Sequence, residues 1–154
     1  MTAGVDERAY WVLLAMVAGV GPTRFGRLLE RFGDARSAWH ASPLDLAGAG
    51  LDRRAIDSLV QLRRTRDPET EWLRLGRIGA TVLTLDDPTY PSRLREIADA
   101  PPVLYLHGEL SVADEWAVAV VGTRRATAYG RGVTESIVAD LARAGVTVVS
   151  GLAR

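Results

Sequence analysis

The apolar run Ala117-Val118-Ala119-Val120-Val121 passes directly into Gly122-Thr123-Arg124-Arg125, and Tyr129-Gly130 follows at the start of a helix-like pattern. Such a run reads as a strand covered on both faces of a parallel sheet. In open α/β sheets, ligands collect at the carboxyl ends of strands, where loops expose backbone donors and helix N-termini. Gly122 permits a tight turn, Thr123 supplies a hydroxyl, and Arg124 and Arg125 supply forked guanidinium groups, so this loop suits a phosphate oxygen. A second run, Val146-Thr147-Val148-Val149, ends in Ser150-Gly151. Parallel pairing of the two runs would place Ser150 and Gly151 near Gly122, and two adjacent anion-binding loops suit a ligand with successive phosphates. Tyr129 is a candidate either to stack a base beside them or to seal a helix against the sheet. The competing reading of the arginines is a solvated ion pair of Arg124 or Arg125 with Glu135 or Asp114.

Gly19-Val20-Gly21, followed by Thr23 and Arg24, forms a second candidate. A Gly-x-Gly turn between two helices lets backbone N–H groups approach a phosphate closely, with the positive end of the next helix behind them. The same turn also serves only to pack two helices. Gly48-Ala49-Gly50, followed by Asp52-Arg53-Arg54, could be the second hairpin of a pair.

Other chemistry is poorly supplied. Cysteine is absent, and His40 and His107 have no acidic or hydroxyl partner at motif spacing, so zinc and cysteine-nucleophile sites are nearly excluded. Asp86-Asp87 reads as a turn before Pro88, and no metal site is expected. The Gly122 loop lacks the second and third glycines of the dinucleotide fingerprint, and a chain without lysine cannot form a Walker A loop, so no cofactor is expected. The 19 basic residues, all arginine, cancel the 19 acidic ones, so any nucleic-acid contact must be local. The apolar stretch Trp11 to Gly21 is about half a membrane span, with no basic leader before it, which gives the expectation of a cytoplasmic protein without a membrane span.

The elements that would position these groups fall into a helical part, residues 1–79, and a strand-containing part, residues 80–154. Helical spacing runs from Asp6 through Tyr10, Leu13, Leu14 and Val17. A second helix with Thr23 as its cap carries Phe25, Leu28, Leu29 and Phe32, and Gly33 fits the left-handed position past its end. A short helix spans Ser37 to His40. Ser42-Pro43 starts another, with Leu44 and Ala47 facing inward, and Asp52 and Asp67-Pro68 start two more. After Gly79 the period changes. Thr81–Leu85 and Val103–Leu106 read as strands, Pro91–Ile97 as a helical turn or two, and residues 117–149 as a βαβ unit with a helix over Arg131 to Ala144.

Several stretches in this order resemble the DNA-processing protein A family (DprA, also called Smf). They are Leu83-Thr84-Leu85-Asp86-Asp87-Pro88-Thr89-Tyr90-Pro91, Leu94-Arg95-Glu96-Ile97 and Asp99-Ala100-Pro101-Pro102-Val103-Leu104-Tyr105-Leu106-His107-Gly108. The likeness continues through Val120-Val121-Gly122-Thr123-Arg124, Tyr129-Gly130 and Val148-Val149-Ser150-Gly151-Leu152-Ala153. The resemblance implies an α/β protein: a helical domain, similar to a sterile alpha motif or helix-hairpin-helix, followed by the first, incomplete part of a Rossmann-like parallel-sheet domain. It further implies a non-enzymatic protein that binds single-stranded DNA, forms a homodimer when complete and helps load the RecA recombinase during natural transformation. Its phosphate contacts would fall on Gly122, Thr123 and Arg124, with Ser150 and Gly151 lining the same pocket and Arg154 at a position where many members carry a basic residue. Two buried-type strands with few neighbours would leave apolar edges exposed, so poor solubility is expected of the isolated chain. The rival from another class is a nucleotide-binding Rossmann-like enzyme, such as a nucleoside-monophosphate phosphoribohydrolase. That activity needs a placed carboxylate and a glycine-rich phosphate loop, neither of which is evident in the sequence.

Overall fold

The computed structural model describes residues 5–111 and 116–151. They form two compact units that divide in sequence between His107 and Gly108.

The first unit is built from six helices and a strand pair. The helices are α1 (Glu7–Ala15), α2 (Pro22–Phe32), α3 (Ala35–His40), α4 (Pro43–Gly48), α5 (Arg53–Thr65) and α6 (Pro68–Arg77). Their starts are chemically marked: the side chains of Asp6, Asp34, Ser42, Asp52 and Asp67 each accept a backbone N–H from the first turn that follows. The start of α2 differs from expectation. Gly21 is the cap and Thr23 lies inside the helix, because Pro22 is preset for the first helical position and needs no donor. Phe25, Leu13, Leu14, Leu28, Leu46 and Leu59 are fully buried, and the Trp11 and Phe25 rings pack 4.9 Å apart. In α4 the inward residue is Leu46, at 0% exposure, whereas Leu44 is 83% exposed and Ala47 also faces solvent. A helix of fewer than two turns shows too little period to fix its face, and packing on α5 decides it.

Strands β1 (Thr81–Thr84) and β2 (Val103–Leu106) pair antiparallel, with Thr81 opposite Leu106, and between them lies the single turn α7 (Ser92–Arg95). Val82 and Val103 enter the same core as the helices. The change of hydrophobic period at Gly79 therefore marks a change of secondary structure, while the packing boundary comes later, because β1 and β2 lean on α1.

The second unit contains β3 (Ala117–Ala119), α8 (Ala128–Arg143) and β4 (Thr147–Val149). The strands are parallel, with Val118 opposite Val148, and the Val120 N–H extends the ladder to the Val149 carbonyl at 2.8 Å. This is the expected βαβ unit, but its burial differs from that of a covered strand. All of β3 is exposed, and within this unit α8 packs beside the pair through β4. Val118, Val133, Ile137 and Val149 remain open to solvent. α8 also starts earlier than expected, since Thr127 caps it by accepting the Gly130 N–H at 3.0 Å. Among the described residues, no helix is long and apolar enough to cross a membrane.

Candidate functional site

The segment from Val120 to Ala126 leaves the carboxyl end of β3, and Ser150-Gly151 leaves the carboxyl end of β4. Parallel pairing puts the two ends side by side. Between them and the first two turns of α8 lies a hollow of about 530 Å³. Its lining includes Gly122, Thr123, Arg124, Ser150 and Gly151, together with Arg131, Thr134 and Glu135 from α8.

Two glycines shape its floor. Neither Gly122 nor Gly151 has a positive φ, and a Cβ added to either would meet no atom within 4 Å. The expected role of Gly122 in a tight turn is therefore not what the backbone requires. The missing side chain instead leaves open space in which a ligand can reach the backbone. The Thr123 hydroxyl accepts the Arg125 N–H at 3.2 Å, which folds the loop locally and leaves the hydroxyl proton free to be donated. Arg124, Arg125 and Arg131 make no ion pair with any described residue, so the expected alternative of a surface pair with Glu135 is not formed. Asp114, the other partner considered, and Arg154 lie outside the described residues.

Not every candidate converges there. Arg125 and Tyr129 are not in the lining, and Tyr129 is 82% exposed, so it does not seal α8 against the sheet. Conversely, Arg131, Thr134 and Glu135 were not read from the sequence as members of this site. The available signal was their i, i+3, i+4 spacing in the turns directly after a strand-end loop.

The glycine turns of the first unit stand close together. Gly19 has φ +89°, and a Cβ there would lie 3.4 Å from that of Ala55. The Ala18 N–H donates to the Ser58 hydroxyl at 3.1 Å. Arg24 donates to the Gly19 carbonyl at 2.7 Å and to Asp52 at 2.7 Å, while Gly21 serves as the cap of α2. Asp52 in turn accepts the Ala55 N–H, and this bond with that of Arg24 holds its carboxyl below the usual range. Arg24 therefore clasps one hairpin to the other, using donors that would otherwise face a phosphate.

The Asp86-to-Pro91 stretch is also structural. Asp87 accepts bonds from the Thr84 N–H at 2.6 Å and the Thr84 hydroxyl at 3.0 Å, and pairs with Arg8 at 2.5 Å. The buried Tyr90 donates to the Pro101 carbonyl at 2.8 Å. Among the described residues, no group of acidic or imidazole side chains is arranged to hold a metal ion.

Comparison with known proteins bears on these same segments. Residues 81–154 match the model of the DNA recombination-mediator protein A family, and residues 5–64 match that of the DprA-like N-terminal HHH domain. The chain belongs to the DprA/Smf family. It is 36% identical over 153 residues to the protein Smf of Synechocystis, which covers 96% of the chain and 38% of that relative. A putative DNA processing protein DprA of Mycobacterium tuberculosis is 39% identical over 155 residues, covering 92% of the chain and 38% of that protein. The DNA processing protein DprA of Bacillus subtilis is 28% identical over 124 residues, covering 75% of the chain and 42% of the relative. This DprA/Smf chain thus spans about two-fifths of the length of these relatives, and the fold fits the membership: a helical N-terminal part, then a small mixed α/β region with a parallel strand pair.

Proposed function

We propose that the hollow between the β3 and β4 ends holds the sugar-phosphate backbone of single-stranded DNA, as part of a recombination mediator that helps load RecA during natural transformation. The observation that carries this reading is the convergence of Gly122, Thr123, Arg124, Ser150 and Gly151 on one open hollow, with Arg124 unpaired among the described residues. Backbone N–H groups and the Thr123 hydroxyl contribute short-range donors, and Arg124 the bidentate charge. Arg125 lies in the loop and supplies further positive charge, and Tyr129, exposed in the first turn of α8, is available to stack on a base. Arg154, three residues beyond Gly151 in sequence, contributes a further positive charge. Residues 80–154 act as the N-terminal portion of the DNA-binding domain, residues 1–79 as its helical companion, and the complete protein works as a homodimer in the cytoplasm without catalysing a reaction.

The test is binding of a labelled oligonucleotide by the chain, its Arg124→Ala variant and Arg143→Ala, whose guanidinium is already paired with Asp140. Arg124→Ala should weaken binding at least fivefold and Arg143→Ala should leave it within twofold. Equal binding by all three would overturn the site. Glu135 places one carboxylate in the hollow, which gives the phosphoribohydrolase alternative a specific check: the chain should release no free base from a nucleoside monophosphate.

A further inference from the structure

The hollow is larger and chemically more mixed than a phosphate site requires. Its volume, about 530 Å³, lies within the range of about 300–1,000 Å³ typical of sites that enclose small organic ligands. Besides donors and guanidinium groups, its lining includes the carboxylate of Glu135. Glu135 lies one turn beyond Arg131 on α8, a spacing that commonly forms an ion pair. No such pair forms, and the Glu135 side chain has no hydrogen-bond partner among the described residues. A carboxylate with no partner among the described residues, in a hollow that binds phosphate, repels that phosphate and can only accept hydrogen bonds. A ligand complementary to the whole lining therefore carries both an anionic group and N–H donors.

Resting on the phosphate reading above, we propose that Glu135 selects the base of the bound nucleotide, accepting a hydrogen bond from an exocyclic amino group. Cytosine N4 is the simplest such donor, and carboxylate side chains pair with it elsewhere. Thymine has no amino group; its single N3–H on that edge lies between two carbonyl oxygens, which face the carboxylate with like polarity and weaken the contact. The hollow thus favours amino-bearing bases over thymine while the loops hold the backbone without regard to sequence.

The experiment compares 5′-labelled dC20 and dT20 by fluorescence anisotropy at one fixed salt concentration, using the full chain, Glu135→Ala and Arg124→Ala. The chain should bind dC20 about three- to tenfold more tightly than dT20. Glu135→Ala should bring the ratio close to one, mainly by gaining affinity for dT20, and Arg124→Ala should weaken both oligonucleotides together. A ratio of one in the unaltered chain would overturn the inference. So would an equal change of both affinities in Glu135→Ala, which would make the carboxylate only a general repulsive charge. Unchanged binding in Arg124→Ala, or no binding by the unaltered chain, would instead overturn the phosphate reading beneath it. Should Glu135→Ala melt at a lower temperature, Glu135→Gln keeps the side-chain shape. Its amide can donate to thymine carbonyls, so it must also narrow the ratio, and an unchanged ratio there would count against the inference.

Discussion

Asp87 and Arg124 sit in segments that carry the family resemblance, yet the structure uses them in opposite ways. Asp87 is spent inside the first unit. Burial disfavours its charged form, but the bonds from Thr84 and Arg8 outweigh that, so its carboxyl is held below the usual value. Because the folded value is the lower one, the stabilisation is complete above the unfolded value of about 4 and fades as pH falls through the folded value. Asp87→Asn should therefore cost about 1–3 kcal/mol at neutral pH, and the gap from the unaltered chain should shrink below about pH 4. Denaturant unfolding at pH 7 and pH 3 checks both, and a gap that stays constant would place the stabilisation elsewhere. Most of it should come from the Thr84 bonds, since Arg8 is 44% exposed and its pair is screened. Arg124, by contrast, lines the hollow and has no partner among the described residues. The convergence of Gly122, Thr123, Arg124, Ser150 and Gly151 was legible because strand-end loops of paired parallel strands must lie together. Arg131, Thr134 and Glu135 are less so, because a local helical pattern does not say which face of α8 turns toward the strand ends.

At the scale of elements, the starts of α1, α4, α5 and α6 were readable because an aspartate or serine before a proline or an apolar repeat marks a cap whatever the tertiary context, whereas those of α2, α3 and α8 lie one or more residues earlier than the pattern places them. Facing direction was harder where a helix is short. The contrast in α4 gives a direct check. Leu46→Ala should cost about 2–5 kcal/mol of stability and Leu44→Ala no more than about 0.5 kcal/mol, measured by thermal or denaturant unfolding. Comparable costs would mean that α4 presents a different face. The turn between α1 and α2 gives another. Gly19→Ala forces a side chain into a positive-φ position beside Ala55, so it should cost at least about 1 kcal/mol. Gly122→Ala has neither constraint and should leave the melting temperature nearly unchanged while weakening oligonucleotide binding.

At the scale of the molecule, burial is uneven between the units. The described core belongs to the first unit, and no described residue of the second is buried. The βαβ character of residues 117–149 was legible from two apolar runs around a helical repeat, but covering of a sheet depends on neighbours that a local pattern does not contain. Hydrogen exchange should follow this division, slow in α1, α2 and α5 and much faster in β3, β4 and α8, since opening is easiest where little apolar surface is buried. Equal protection would show that the second unit's strands are covered in solution. Val118, Val133, Ile137 and Val149 together should also drive self-association, seen as a concentration-dependent mass by light scattering. The most direct measurement of the central claim is the salt dependence of single-stranded DNA binding. Each phosphate neutralised contributes about 0.7 to the slope of log affinity against log salt concentration. Arg124→Ala should therefore bind more weakly and with a slope shallower by about that amount. An unchanged slope would contradict phosphate binding by the guanidinium at the end of β3.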